Sequence, residues 1–368
     1  MSDDSKRAER LPRAAISRRG VLLGLAALGG IAAANVGGFL YLGGWLTPGA
    51  LTPWRFVDRF EQVFGKHDGF RRNHAKGLSA SGYFTSNGAG TDVSKAEVFR
   101  PGRIPVTGRF SLSGGLPDAT DANATIRGLG LLFSLPNGEQ WRTAMVNIPV
   151  FLDSTPEGFF ERLLASQVDP DTGQPDPEKM AAFLARHPET AAAMEIVRQT
   201  PPSSGFDNST FHGLNAFNFT NSSGVTVPVR WMVVPEQAFE PASSPQPPGR
   251  DYLFDALIRS VANTPLRWRL ILTIGQPGDP TNDATKPWPD GRRTIDVGTL
   301  TIDSVQTEEP GNARDINFDP LILPDGIARS DDPLLSARSA VYARSFLRRS
   351  REPKQPSEVN VTEVLGER

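Results

Sequence analysis

The amino-acid sequence predicts a single α+β domain, a β-rich body with helices packed outside it. Three observations carry the prediction. From about His74 to Val234 the apolar residues fall in strand-length runs separated by Gly, Pro and Asn-Gly, the punctuation of short antiparallel strands. Twice within that stretch the spacing becomes helical behind a Pro that follows a capping residue. The chain has 368 residues, 38% of them hydrophobic, enough to bury at least one substantial core.

In chain order, Ser17-Arg18-Arg19-Gly20-Val21-Leu22-Leu23 comes first. Twin arginines ahead of an uncharged run from Gly20 to Pro48 have the layout of a twin-arginine export signal. Ala32-Ala33-Ala34 offers a small-residue cleavage site, making residues 1–34 a signal peptide and Asn35 the mature N-terminus. The rival is an uncleaved anchor to about residue 48, since the run exceeds the ~20 residues that span a bilayer. Its glycines and the early Ala triplet favour cleavage. Either way the expected location is the bacterial periplasm, reached through the twin-arginine export machinery. If the run is kept, 20–48 becomes a membrane tether.

Residues 35–64 read as an N-terminal arm ending in a short helix. Thr52-Pro53 supplies its cap and first turn, and Phe56, Phe60 and Phe64 recur every four residues. The main domain follows over 65–350. Leu129 to Leu135, Pro136-Asn137-Gly138 and Trp141 to Val146 spell a β-hairpin; Phe217 to Phe219 and Val225 to Val234 spell a second. Between the hairpins, Thr155-Pro156-Glu157 opens one helix, and Asp176-Pro177-Glu178 opens another that ends near Pro188. Ala242 to Gly249 is a Pro/Ser-rich loop, and Leu266 to Ile274 and Thr294 to Ile302 are further strands. Asp332-Pro333 opens a C-terminal helix running to about Arg349. Residues 351–368 lack a periodic apolar face and are expected to form a flexible tail.

Composition narrows the chemistry. A formal charge of −2 without a long basic run gives no reason to expect a nucleic-acid partner. Zero cysteines exclude disulfides, thiolate catalysis, iron–sulfur clusters and cysteine zinc sites. One of only four histidines lies in Arg71-Arg72-Asn73-His74-Ala75-Lys76-Gly77, beside cations and a Gly where a strand would begin. A positioned imidazole titrating near neutrality can take a proton and return it. An arbitrary histidine is more often a satisfied core residue, and His67, His187 and His212 receive no role. Read alone, Arg109-Phe110-Ser111 is an ordinary strand and Asn147 a turn or cap residue. Arg338 and Tyr342 stand four apart on the C-terminal helix and so share a face. A guanidinium there would stabilise a phenolate. Of the four tyrosines, Tyr41 lies in the export segment, and neither Tyr83 nor Tyr252 has an Arg four residues before it.

In this order the pieces resemble the monofunctional haem catalases. The family's distal segment reads Arg, two residues, then His-Ala-Lys-Gly, with Arg-Phe-Ser about 35 residues after the His. Arg127-Gly128, Phe133, Gly138, Trp141 and Asn147-Ile148-Pro149 keep the family's Arg-to-Phe and Trp-to-Asn-to-Pro spacings, with one extra residue before Trp141. The resemblance implies an antiparallel β-barrel of about eight strands with surrounding helices. Haem b, carrying iron, would lie between the barrel wall and the C-terminal helix. It implies His74 and Asn147 as catalytic residues, with Ser111 orienting His74. Tyr342 is the implied iron ligand with Arg338 beside it. Arg71, Arg109 and Arg349 are the other implied cofactor-binding residues, the last two at the propionates.

Several positions depart from the pattern. Asn73 stands where catalases usually carry an apolar residue, and Leu152 where they favour Phe. Ala343-Arg344-Ser345-Phe346 replaces the family's Pro-Asp and following His. The chain is also shorter than a typical catalase. These features match the abbreviated catalase-related peroxidases, and the likeness runs from about Leu51 to Arg349. The implied activity is reduction of hydrogen peroxide or an organic hydroperoxide, with a small organic reductant as donor and weak catalase activity at most. The alternative from another class is a non-enzymatic periplasmic barrel that binds haem or an apolar ligand.

Overall fold

The computed structural model describes residues 51–123, 126–169, 172–243 and 249–366. The expected signal peptide and anchor lie outside the described residues, as does most of the loop expected over Ala242 to Gly249. Among the described residues, no helix is long and apolar enough to cross a membrane.

The body is an antiparallel sheet closed on itself. Its strands are β1 (Gly77–Ser86), β2 (Gly102–Leu112), β3 (Arg127–Ser134), β4 (Gln140–Val146) and β5 (Phe211–His212). They continue with β6 (Phe217–Thr220), β7 (Thr226–Pro235), β8 (Leu266–Ile274), β9 (Thr294–Gln306) and β10 (Ile327–Arg329). In space β1 to β5 follow one another, then β7, β8 and β9, and β9 pairs back onto β1, so eight strands close a ring. Strands β6 and β10 extend the sheet from β7. Both expected hairpins form: Phe133 faces Trp141 across β3–β4, and Phe217 faces Val229 across β6–β7. Closure removes the unpaired edges that a sheet this size would otherwise expose.

The ring is filled with aromatic side chains. Phe84, Phe110, Phe133, Trp141, Trp231 and Trp268 are all buried in one core. Phe133 stacks on Trp141 at 4.9 Å between ring centroids, and Trp231 meets Trp141 edge-on at 5.2 Å, arrangements the ring quadrupoles favour.

Helices α1 (Pro53–Phe64), α2 (Pro156–Ala165), α3 (Pro177–Arg186), α4 (Pro188–Arg198), α5 (Tyr252–Asn263), α6 (Pro333–Ser350) and α7 (Val361–Leu365) surround the body. The anticipated caps are in place. Thr155 Oγ1 accepts from Gly158 N at 3.1 Å, Asp176 from Glu178 N at 2.9 Å, and Asp332 from Leu334 N at 2.9 Å. Pro188 ends one helix and opens the next: His187 is at once the C-cap of α3 and the N-cap of α4. A Pro is tolerated at the first helical position because its missing N–H would have no partner there.

The segment expected as a flexible tail is instead packed onto the domain. Glu352 receives Gly69 N at 2.9 Å and the Arg72 guanidinium at 2.8 Å. Val359 is buried, and Val361 N donates to Thr307 Oγ1 at 2.9 Å. The docking runs through Val359, Val361 and Val364 and a set of polar pairs, too short an apolar set for periodicity to reveal.

Candidate active site

The segment around His74 enters β1 through a strained turn. His74 has φ 56 and Leu214 φ 64, the two non-glycine residues with positive φ among those described. Both line one cavity. Left-handed backbone at bulky residues persists only where the surroundings enforce it, and it gathers at functional sites. Asn73 Oδ1 accepts from His74 N at 3.0 Å and from Gly114 N at 2.9 Å. The polar residue found where the family favours an apolar one therefore braces this turn. Arg109 braces it further, donating from Nη1 to His74 O at 2.9 Å and from Nη2 to Ala75 O at 3.2 Å.

Two rungs of the barrel wall lie under the site. Gly77, Ser111, Gly128 and Val146 are cross-strand partners in sequence, as are Ser79, Arg109, Gly130 and Ala144. Glycine recurs in these rungs for a physical reason. A Cβ on Gly128 would come within 2.8 Å of Ser111 Oγ and 3.0 Å of His74 Nδ1, and one on Gly130 within 2.9 Å of the Phe318 ring. A Cβ on Gly77 would strike the Arg109 guanidinium at 2.2 Å. The glycines of the His-Ala-Lys-Gly and Arg-Gly motifs thus make room for His74 and Arg109. Ser111 Oγ stands 3.1 Å from His74 Nδ1.

Above this floor lies a cavity of about 470 Å³, closed by α6 and bordered by α1 and α2. From α6 it receives Arg338, Tyr342 and Arg349; from α1 and α2 it receives Phe56, Phe60 and Phe159. The Arg338 guanidinium lies 5.8 Å from the centre of the Tyr342 ring. Its fork is held by Asn215 Oδ1 and by Ala144 O, and Asn215 Nδ2 donates to Asp332 at 2.7 Å.

Arg71, Arg109 and Arg349 gather at one end of the cavity. Arg109 meets Glu308 with both arms, Nε to Oε1 at 2.8 Å and Nη2 to Oε2 at 2.7 Å. That occupies the fork expected to bind a propionate. Arg71 donates to Ala313 O at 2.9 Å and Ile316 O at 3.0 Å, and Arg349 to Arg314 O and Ile316 O at 2.5 and 3.2 Å. Three guanidinium groups share one carboxylate, leaving two positive charges uncompensated. Burial and then the charges of Arg109 and Arg349 push the pKa of Arg71 well down. Burial and Arg109 lower that of Arg349 to about 10. Burial alone would raise the Glu308 carboxyl, but Arg109, Arg71 and Arg349 hold it below its usual value. The cluster is electrostatically ready for a dianion.

Burial, followed by Arg109, Arg71 and Arg338, lowers the His74 pKa to about 3. The imidazole is therefore neutral at physiological pH, with Nδ1 engaged by Ser111. Asn147 is less directly placed. Its neighbours Val146 and Ile148 line the cavity, while it is not among the lining residues; its Oδ1 accepts from Arg127 N at 2.8 Å. Seven of the eight expected site residues line the cavity, and Asn147 flanks it. Glu308, Asn215 and Asp332 were missed. Their role depends on which arginines reach them across the fold, and no local spacing encodes that.

The catalase family model matches residues 62–364. A catalase-related peroxidase from Synechococcus elongatus is 39% identical over 303 residues, covering 82% of this chain and 89% of that protein. A second from Mycolicibacterium paratuberculosis is 32% identical over 301 residues, covering 81% and 94%. Among solved structures, a bacterial catalase aligns with TM-score 0.68 at 22% identity, over 87% of this chain and 63% of that one. Catalase A from Saccharomyces cerevisiae aligns at 0.67 and 22%, over 80% and 63%. The strained histidine turn, the glycine floor and the tyrosine-bearing helix thus meet around one cavity, and this chain belongs to the catalase family.

Proposed function

We propose that the protein is a haem-dependent peroxidase that reduces hydrogen peroxide or an organic hydroperoxide with an external organic donor. One observation carries the reading: His74, held through Nδ1 by Ser111, and Tyr342, beside Arg338, line the same cavity over a glycine floor. Haem b fits these residues. His74 and Tyr342 border a cavity of about 470 Å³ with room for a planar group, Tyr342 offers its phenol oxygen to iron, and the pair Arg71 and Arg349 suits two carboxylates. Arg71 and Arg349 would hold that carboxylate edge, with Arg109 acting through Glu308 and the His74 turn. When bound, the group would supply the two-electron redox chemistry.

The chain's own part is proton handling and positioning. A neutral His74 takes a proton from peroxide at Nε2 and returns it to the departing oxygen, because Nδ1 is committed to Ser111. Asn147 would donate to the oxygen on which negative charge develops. Arg338, its fork held by Asn215 and Ala144, stands beside the Tyr342 ring and so positions it. The aromatic border of Phe56, Phe60 and Phe159 suits an organic donor. The twin-arginine segment supports export to the periplasm, with the donor met there.

The test is the visible spectrum of the protein supplied with haem. A high-spin ferric Soret band that is lost in Tyr342→Phe is expected, and a colourless folded protein would overturn the assignment. With haem retained, His74→Ala should lower peroxide turnover by roughly 10²–10⁴-fold. Unchanged turnover would favour the non-enzymatic binding barrel.

A further inference from the structure

Helix α1 has two faces. Phe56 and Phe60 are buried and line the cavity, whereas Trp54, Arg55 and Asp58 are exposed. On the outer face, aromatic rings and guanidinium groups are stacked side by side. Arg344 of α6 lies over the Trp54 ring, and the Arg348 guanidinium carbon is 5.5 Å from its centre. On the other flank, Arg59 and Arg55 stand 3.9 and 5.8 Å from the ring of Phe160 on α2. Trp54 is 44% exposed, and Leu347, on the outer face of α6, is 45% exposed. Lone exposed apolar residues are ordinary. A tryptophan and a leucine set among arginines on two packed helices are not a scatter.

The charge of this face opposes that of the molecule. Arg55, Arg59, Arg344, Arg348 and Arg351 stand against Asp58 and Glu61, both of which Arg348 contacts. Five cations against two acids leave a net +3 on a chain whose total is −2. The crowding is felt locally: after burial, Arg348 and Arg351 further depress Arg344, and Arg55 depresses Arg59. Arg59 Nη1 and Arg344 Nε are buried without a hydrogen-bond partner. Rings that are apolar at the centre and cationic at the rim suit the boundary between acyl chains and headgroups. The uncharged run of residues 20–48 ends five residues before Pro53, so the chain enters this face directly from its most lipophilic segment.

We infer that the outer face of α1 and α6, built on Trp54, Arg55, Arg59, Arg344, Leu347 and Arg351, docks the folded domain onto an anionic phospholipid bilayer. Phosphodiester groups match the guanidinium forks, and Trp54 and Leu347 enter the interface. Contact here sets the α1 wall of the cavity beside the lipid. The inference stands apart from the haem chemistry.

The chain has no cysteine, so Leu347→Cys creates a single labelling point for a polarity-sensitive fluorophore. The full chain carrying this label is mixed with vesicles of phosphatidylcholine alone or with phosphatidylglycerol added. A blue shift is expected only with phosphatidylglycerol, and none at a control label on Val225→Cys in the turn between β6 and β7. The N-terminal segment, with six basic and three acidic side chains, is itself drawn to phosphatidylglycerol, so the face is reported by comparison with charge-reversed variants of the same full chain. Adding Arg344→Glu and Arg351→Glu should raise the lipid concentration at half-shift at least about 5-fold per arginine, the ratio to which ~1 kcal/mol corresponds. Should these variants not fold, the leucine-site label alone must lose its shift as salt is raised. An absent shift, an equal shift on phosphatidylcholine or at Val225→Cys, or an equal shift with soluble dextran sulfate would overturn the inference.

Discussion

Strand β3 borders two unlike environments. Leu131 and Phe133 turn into the aromatic core of the ring and are fully buried. Gly128 and Gly130, one residue out of phase, turn outward to the cavity floor. The same eight residues thus supply bulk on one side and its absence on the other. Inside, filled volume stabilises the barrel; outside, missing volume admits His74 and Phe318 to their positions. Stability and chemistry are carried by alternate residues of one strand, which makes them separable by mutation.

The sharpest test of that division lies inside. Phe133→Ala removes a ring stacked on Trp141 and edge-on to Phe84 and should cost about 3–5 kcal/mol of stability. Denaturant titration would show it, with site geometry intact in whatever fraction remains folded. The converse change is Gly128→Ala. Its Cβ meets Ser111 Oγ and the His74 ring, so peroxide turnover should drop by up to ~10²-fold, the penalty of misplacing a reacting group by about 1 Å. Melting should shift far less than for Phe133→Ala. If Gly128→Ala unfolds the protein as severely, the two faces of β3 are not separable.

A third change probes the periphery. Glu352→Gln weakens the contact between the C-terminal segment and Arg72, two residues before His74, and should cost about 1.5–3 kcal/mol. Hydrogen exchange over residues 351–366 would then rise. No change in exchange would mean that the apolar contacts of Val359, Val361 and Val364 hold the segment without this pair. The last test is the pH dependence. His74 titrates near 6.5 when unfolded and is held down to about 3 in the fold. Between those values the unfolded chain binds a proton that the folded one does not, so stability falls as pH drops below 6.5. Melting temperatures of the wild type should therefore decline more steeply across this window than those of His74→Gln. Parallel curves would show that His74 is not held neutral by burial and its arginine neighbours.

Much of the fold was legible because its signals are local. Asp176-Pro177 and Asp332-Pro333 announced their helices, and Asn137-Gly138 its hairpin, through capping and turn chemistry that needs no distant partner. The α4 helix was missed because Pro188 reads equally as a stop and as a start. The docked C-terminal segment was missed because Glu352 finds Arg72 across 280 positions of chain. At the site, the motifs singled out His74, Ser111, Tyr342 and the arginines, which line one cavity, but not that Glu308 would take the fork of Arg109.

The sequence by itself determined the α+β class, the hairpins and the capped helices, and singled out residues that the fold brings to one cavity, since each rests on spacing along the chain. Only the tertiary structure decided which charges share a carboxylate, which glycines yield space to His74, and which face of α6 looks inward. Those outcomes depend on side chains brought together by ring closure. A rung such as Gly77, Ser111, Gly128 and Val146 exists only once four strands are in register.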